Sequence, residues 1–211
     1  MKRQNEKKNT FFRDLRYRFY QMHIDIGDIK DRCLPVMLEG VEIGEISYKG
    51  KMWLRKEYVE DHAASDLYER VAKITAEVKE YTNLMDSSPR LEASGFDEPY
   101  LKLAEFNGFV LCGKESEYGV QFATWMKDYG GTGVVIGHYF GNDYSGAKQD
   151  FAVRCGLING ENLFTPEQFV EIYRRCSESL NENFHLSWEQ EQVLENIQQQ
   201  IEELVPDLIF C

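Results

Sequence analysis

The chain has 211 residues, 43% apolar and 13% aromatic, enough to bury a core as one domain or two small ones, so disorder is not the default. Its apolar runs fall far short of the roughly 20 residues a membrane helix requires, and the polar start Met1-Lys-Arg-Gln-Asn-Glu-Lys-Lys has no stretch suited to a secretory signal. A soluble, cytoplasmic protein is expected. Charge is unevenly placed: seven of the first twenty residues are Lys or Arg against two acids, while the rest of the chain carries 17 bases and 34 acids.

Residues 1–20 read as a basic, aromatic arm. In Phe11-Phe-Arg-Asp-Leu-Arg-Tyr-Arg-Phe-Tyr20, aromatics that stack on bases interleave with Arg13, Arg16 and Arg18, which suit phosphates, so Tyr17 and these arginines are candidate nucleic-acid contacts. Read as a strand, Leu15, Tyr17 and Phe19 alternate with Arg16 and Arg18, and the arm docks on the acidic body instead.

Residues 21–88 read as a ββα region. Val41–Tyr48 and Met52–Tyr58 form two strands joined at Lys49-Gly50. From about Asp61 to Met85, apolar residues recur at Leu67, Val71, Ile74, Val78, Tyr81 and Met85, one stripe along a long helix that packs on its own domain or, given its coiled-coil spacing, against a partner helix. Pro89 disfavours helical geometry at Ser88, and the Ser, Pro, Gly and Asp-rich run that follows makes 89–105 a linker and the expected domain boundary.

Residues 106–211 read as a βββααα domain. Gly108–Gly113, Val120–Trp125 and Gly133–Phe140 are strand-like, with connections short enough for an antiparallel three-stranded meander. A helix over Ser145–Cys155 should stop at Gly156, with Leu157 folding back as its apolar cap partner. Thr165-Pro-Glu-Gln168 is a capping box with Pro at the first helical position and Phe164 and Phe169 at the staple positions. Ser187-Trp-Glu-Gln190 is a second capping box, opening a helix that carries the stripe Leu194, Ile197, Ile201 and Leu204 and ends at Pro206. The fold class is therefore α+β: an N-terminal ββα region, then a three-stranded meander and three C-terminal helices.

Motifs with unambiguous chemistry are lacking. The glycines of Tyr129-Gly-Gly-Thr-Gly133 are followed by a strand, whereas a phosphate loop needs a helix N-terminus, so they read as a turn. His138, Asp143, Lys148 and Asp150 gather where a strand passes into a helix and are the candidates for acid–base or nuclease-like catalysis, each with a structural alternative as core, cap or solvated face. His23, His62, His138 and His185 are too scattered for a metal site. The five cysteines Cys33, Cys112, Cys155, Cys176 and Cys211 form no C-x-x-C pair and read as reduced, mostly buried thiols. Metal and cofactor are both expected to be absent.

The strongest polar signal lies at the far end. From Cys176 to Cys211 there are eight carboxylates and neither Lys nor Arg. Glu182, Glu189, Glu191, Glu195, Glu202, Glu203 and Asp207 are spread along and around the last helix, and such a surface repels nucleic acid and attracts basic protein surfaces.

The stretches Leu103–Gly113, Val120–Trp125 and Gly137–Ile158 resemble uncharacterised accessory proteins carried on conjugative and other mobile elements of Gram-positive bacteria, over about residues 93–205. The resemblance carries no functional motif. What it implies is accessory cargo, among which acidic inhibitors of restriction or CRISPR nucleases are a recurring class. The leading expectation is a non-enzymatic cytoplasmic interaction protein whose acidic residues Glu189, Glu191, Glu195, Glu202 and Glu203 meet a basic partner, a nuclease being the favoured kind. The alternatives are a small nuclease or hydrolase centred on His138 and Asp143, and a nucleic-acid-binding module using the N-terminal arm.

Overall fold

The basic N-terminal run forms a helix, α1 (Lys2–Gln21), and not the strand its alternation allowed. The reason is a second period in the same residues: Phe11, Phe12, Leu15 and Phe19 recur at helical spacing and are all buried, while Arg13, Arg16 and Tyr20 stay exposed. The computed structural model describes residues 2–160, 164–181 and 186–205, and the chain divides into two units, Met1–Ile158 and Asn159–Cys211.

In the first unit an antiparallel sheet follows α1, with β1 (Cys33–Leu38), β2 (Val41–Ser47) and β3 (Met52–Leu54) in that order. The expected hairpin is present, though its second strand is short and passes into a 3-10 turn at Lys56–Tyr58. An added strand, β1, pairs with β2 through a turn in which Glu39 and Gly40 both have positive φ, 50° and 80°. Pro35 hid β1 in the sequence, yet a residue without an N–H is tolerated on an edge strand. Then α2 (His62–Ser87) begins at Asp61, whose carboxylate accepts from the Ala64 N–H at 2.9 Å, and stops just before Pro89. Its stripe is buried inside this unit: Val71, Ile74, Val78, Tyr81 and Met85 belong to one core with Val36, Ile43 and Ile46, and Tyr81 packs edge-on to Phe122 and Tyr144.

The run read as a linker is folded. Leu91 and Tyr100 are buried, and the last residues belong to β4 (Leu101–Phe106). With β5 (Phe109–Ser116), β6 (Gly119–Lys127) and β7 (Val134–Gly141) it makes a four-stranded antiparallel sheet in the order β4-β5-β6-β7, one strand more than expected. The boundary therefore falls at 158/159 and not at 89–105, because the loop after α2 covers the second face of this sheet, where Leu91, Tyr100, Val110, Cys112, Ala123 and Trp125 form their own small core. The opposite face, through Leu111, Val120 and Phe122, joins the main core with α1, α2 and the helix α3 (Tyr144–Arg154). Helix α3 ends as expected at Gly156, φ 80°, with the Leu157 N–H donating to the Ala152 carbonyl and the Gly156 N–H to that of Val153. Leu157 itself is exposed and does not fold back.

Asp14 fastens α1 into this unit. Its carboxylate is buried and accepts from the Tyr81 hydroxyl on α2 and the Val120 N–H on β6, each at 3.1 Å, and from Arg13 on its outer side.

The second unit holds α4 (Pro166–Asn181) and α5 (Trp188–Leu204). They run antiparallel, cross-linked by the Tyr173 hydroxyl to Glu202 at 2.8 Å and by Gln198 to the Ser177 hydroxyl at 2.6 Å. Both capping boxes form: Gln168 and Gln190 donate backbone N–H groups to Thr165 and Ser187, and their side chains accept in return. The staple rings of Phe164 and Phe169 stand 5.6 Å apart. Pro206, the expected stop for α5, lies outside the described residues. The architecture is thus α+β with five helices and two antiparallel sheets among the described residues.

Candidate functional site

Helix α5 turns two unlike faces outward from its axis. Leu194, Ile197 and Ile201 lie on the face toward α4, with Ile201 buried. Trp188, Glu191, Glu195 and Glu202, spaced by three, four and seven residues, fall together on an adjoining face whose edge, at Glu202, meets α4, and Glu189 and Glu203 lie beyond it. All six side chains are exposed, and Trp188 is 70% accessible. The sequence reading named the glutamates but passed over Trp188, seeing in it only the first residue after a capping Ser. At the helix start, the backbone N–H of Glu189 and the Ser187 hydroxyl hold the Glu189 carboxyl below its ordinary range. The carboxylate of Glu202 is partly engaged by Tyr173. The neighbouring surface of α4 is different in kind: Arg174 and Arg175 pair with Glu171 and Glu178 within that helix, which leaves Glu167 as its one uncompensated charge. Glu182, His185, Asp207 and Cys211 lie outside the described residues.

The basic arm is partly spent on its own unit. Arg18 reaches Glu77 of α2 at 2.8 Å and the Asn142 carbonyl at 2.9 Å. Arg13 is shared between Asp14 at 3.1 Å and Glu115 at 3.8 Å. Tyr17 is half-buried, and Arg16 is exposed. Of the arm's candidate contacts, then, Arg16 faces solvent while Arg13 and Arg18 are held by carboxylates. Interleaving of aromatics and arginines, which suggested base stacking, is on a helix the arrangement that buries the rings of Phe11, Phe12 and Phe19.

The four catalytic candidates separate into two partners and two bystanders. His138 Nδ1 lies 2.9 Å from Asp150 Oδ1, and the other oxygen of that carboxylate accepts from the Thr124 hydroxyl. Arg154 completes the group, donating to Thr124 Oγ1 at 2.8 Å and approaching Asp150 at 3.8 Å. His138 is paired with Thr124 across β6 and β7, and Asp150 and Arg154 are one turn apart on α3, so strand register and helix packing bring the four together. Asp143 is not among them: it caps α3 by accepting the Gly146 N–H at 2.9 Å. Lys148 points to Glu80 at 3.0 Å and sits over the Tyr144 ring. The arrangement orients an imidazole with a carboxylate, but Arg154 donates inward to the Thr124 and Ile136 carbonyls, and Thr124 is buried, which leaves the pair without a presented nucleophile.

Cys112 is buried and its thiol is pushed up to about 12 by that burial, the opposite of a nucleophile's requirement. Cys33, Cys112, Cys155 and Cys176 are free, and no cluster of three or more His, Cys, Asp or Glu side chains suited to a metal ion occurs among the described residues. No helix among them is long and apolar enough to cross a membrane. No protein-family model, curated protein or solved structure matches this chain.

Proposed function

We propose that this protein works by binding, and that the outer face of α5 engages a basic macromolecular surface. The observation that carries the reading is the pattern Trp188, Glu191, Glu195, Glu202 on one exposed helix face, flanked by Glu189 and Glu203. Carboxylates set the sign of the partner and speed its approach, while an exposed Trp beside them supplies the aromatic anchor that lysine and arginine side chains stack on. The chain's formal net charge of −12 adds a long-range field of the same sign. A nuclease with a nucleic-acid groove has the required surface, and an inhibitor of restriction or CRISPR nucleases acting in the cytoplasm fits both the charge pattern and the mobile-element resemblance. The rival catalytic reading loses support from Asp143, whose carboxylate is taken up in capping α3, and the nucleic-acid reading from the carboxylates that hold Arg13 and Arg18.

The test is quantitative co-purification with a nuclease bearing a basic groove, at two salt concentrations, with the wild-type chain and with Glu189, Glu191, Glu195, Glu202 and Glu203 changed to Gln. Expected is capture that weakens with salt and falls at least tenfold in the Gln variant and in Trp188→Ala. Capture indifferent to both variants and to salt overturns the reading.

A further inference from the structure

On the face of the four-stranded sheet away from α1 lies a pocket of about 320 Å³, where half-buried Val134 overlies the buried side chains of Leu91 and Val110 and Lys102, Glu105 and Lys127 form the edge. Its volume lies within the range of small-molecule sites, about 300–1,000 Å³. Lys102 and Glu105 stand three apart on β4, a spacing that in a regular strand sends side chains to opposite faces. A bulge between Lys102 and Ala104 undoes that alternation, so Lys102 pairs opposite Cys112 and Glu105 opposite Val110, both on the pocket face. Lys127, opposite Val134 at the end of β6, joins them from the far side. Both ammonium groups reach the Glu105 carboxylate, each at 2.5 Å.

The consequence is electrostatic. Two cations share one carboxylate, which their hydrogen bonds, Lys102 first and Lys127 second, hold below its ordinary range. Arg90 and Glu92 at the rim offset one another and Asp128 lies behind the glycine turn, so the surroundings balance overall and the local positive charge is the Lys102 and Lys127 pair, two ammonium groups on one carboxylate. The far rim is the glycine turn, where Gly131 takes φ 67° and exposes backbone without a side chain. That turn is fixed by the Thr132 N–H donating to Asp128 at 2.9 Å and the Thr132 carbonyl accepting from the Ser94 N–H at 2.7 Å. An apolar floor under a paired-lysine mouth matches a molecule that is apolar at one end and acidic at the other.

We propose that this pocket binds a small organic anion, with its apolar body against Val134 and its acidic head between Lys102 and Lys127, in competition with Glu105 as the resident counter-ion. A carboxylate, sulfonate or phosphate head satisfies the same two ammonium groups, so the ligand is defined by that chemistry and by its apolar half. The site is distinct from the α5 face and stands or falls without it.

The experiment is an NMR titration of the full chain, following backbone amides, with phenyl phosphate, inorganic phosphate and benzyl alcohol in separate arms. Phenyl phosphate is expected to give saturable shifts at Gly131, Gly133 and Val134, with binding at least tenfold tighter than either half-molecule. Glu105→Gln, which frees both lysines, tightens phenyl phosphate about fivefold, the order expected for one unit charge near 4 Å in mostly aqueous surroundings. Lys102→Gln with Lys127→Gln weakens it tenfold or more. Both variants break the same ion pairs, so opposite signs separate ligand recognition from a folding defect. The proposal is overturned if the shifts do not saturate, if they spread to remote lysines such as Lys49 and Lys51, if the two variants move together, or if inorganic phosphate binds as well as phenyl phosphate.

Discussion

Removing the Asp14 carboxylate should cost more stability than any other single polar change in the first unit. Asp14→Ala leaves two buried donors without an acceptor, the Tyr81 hydroxyl and the Val120 N–H, both now bonded at 3.1 Å. An orphaned buried donor costs about 1–3 kcal/mol, so the pair sums to roughly 2–6 kcal/mol with a centre near 4. Arg13, whose side chain is 40% exposed, finds water and adds little. Asp14→Asn keeps one acceptor oxygen and should cost about half as much, while Tyr81→Phe, which deletes a donor and orphans nothing else, should cost about 1 kcal/mol. The decisive quantity is the double-mutant cycle: with Tyr81 already Phe, Asp14→Ala orphans only Val120, so the pair must be less costly than the sum by about 1–3 kcal/mol. Urea unfolding followed through the buried Trp125, with slopes checked for equality, measures all four corners. A cost below 1 kcal/mol for Asp14→Ala, or strict additivity, would refute the reasoning.

Alkaline titration should unfold the protein through groups whose folded values are raised. Cys112 is pushed from 9.0 to about 12 by burial, so its contribution is full below pH 9 and disappears between pH 9 and 12, about 4 kcal/mol in all, and Cys112→Ala should flatten that slope in urea midpoints measured at pH 8.5 and 10.5. Tyr81, raised by burial and by the Asp14 charge, adds a loss of the same sign above pH 10, visible as phenolate absorbance that appears only with unfolding. Gly44→Ala should cost 3 kcal/mol or more, at the upper end of the roughly 1–3 kcal/mol for overpacking, because its new methyl would lie 2.3 Å from the Trp53 carbonyl oxygen, backbone that cannot step aside; a loss under 1 kcal/mol by thermal or urea unfolding contradicts this. His138→Ala should leave stability within about 1 kcal/mol, since the imidazole is half exposed, whereas Thr124→Val strips a buried hydroxyl from Asp150 and Arg154 and should cost about 2 kcal/mol, an order that reversed urea midpoints would overturn.

What the sequence made legible was whatever is decided within a few residues. Both capping boxes, the Phe164–Phe169 staple, the stop at Gly156 and the stripe of α2 depend on neighbours one to four positions away, and each forms as read. One local signal was there and went unused: Asn107-Gly108, with φ 47° and 80°, is the dipeptide that favours a two-residue hairpin, and it joins β4 to β5. Helix α1 was misjudged because Leu15, Tyr17 and Phe19 satisfy a period of two, while Phe11, Leu15 and Phe19 satisfy one of four, and only tertiary burial chooses between them.

The sites failed for a related reason. His138 and Asp150 were both singled out, yet their pairing needs α3 to lie on β6 and β7, and Arg154 and Thr124 enter through that packing alone. Asp143 was the more tempting partner by proximity in sequence, but a carboxylate just before a helix is consumed by the free N–H groups of its first turn. Lys102 and Glu105 were invisible as a pair because a single inserted residue reverses which face a side chain occupies.

The bond from Asp14 to the Val120 N–H spans 106 residues and carries a consequence for biogenesis. Helix α1 is made before β6, and the strand that completes its burial leaves the ribosome only after those residues are translated, on the order of 5–20 s later at about 5–20 residues per second. During that interval Phe11, Phe12, Leu15 and Phe19 have lost neither their hydrophobicity nor their neighbours' positive charge. The packing of α1 is therefore among the last parts of the main core to be completed, because it waits on a strand made about a hundred residues later.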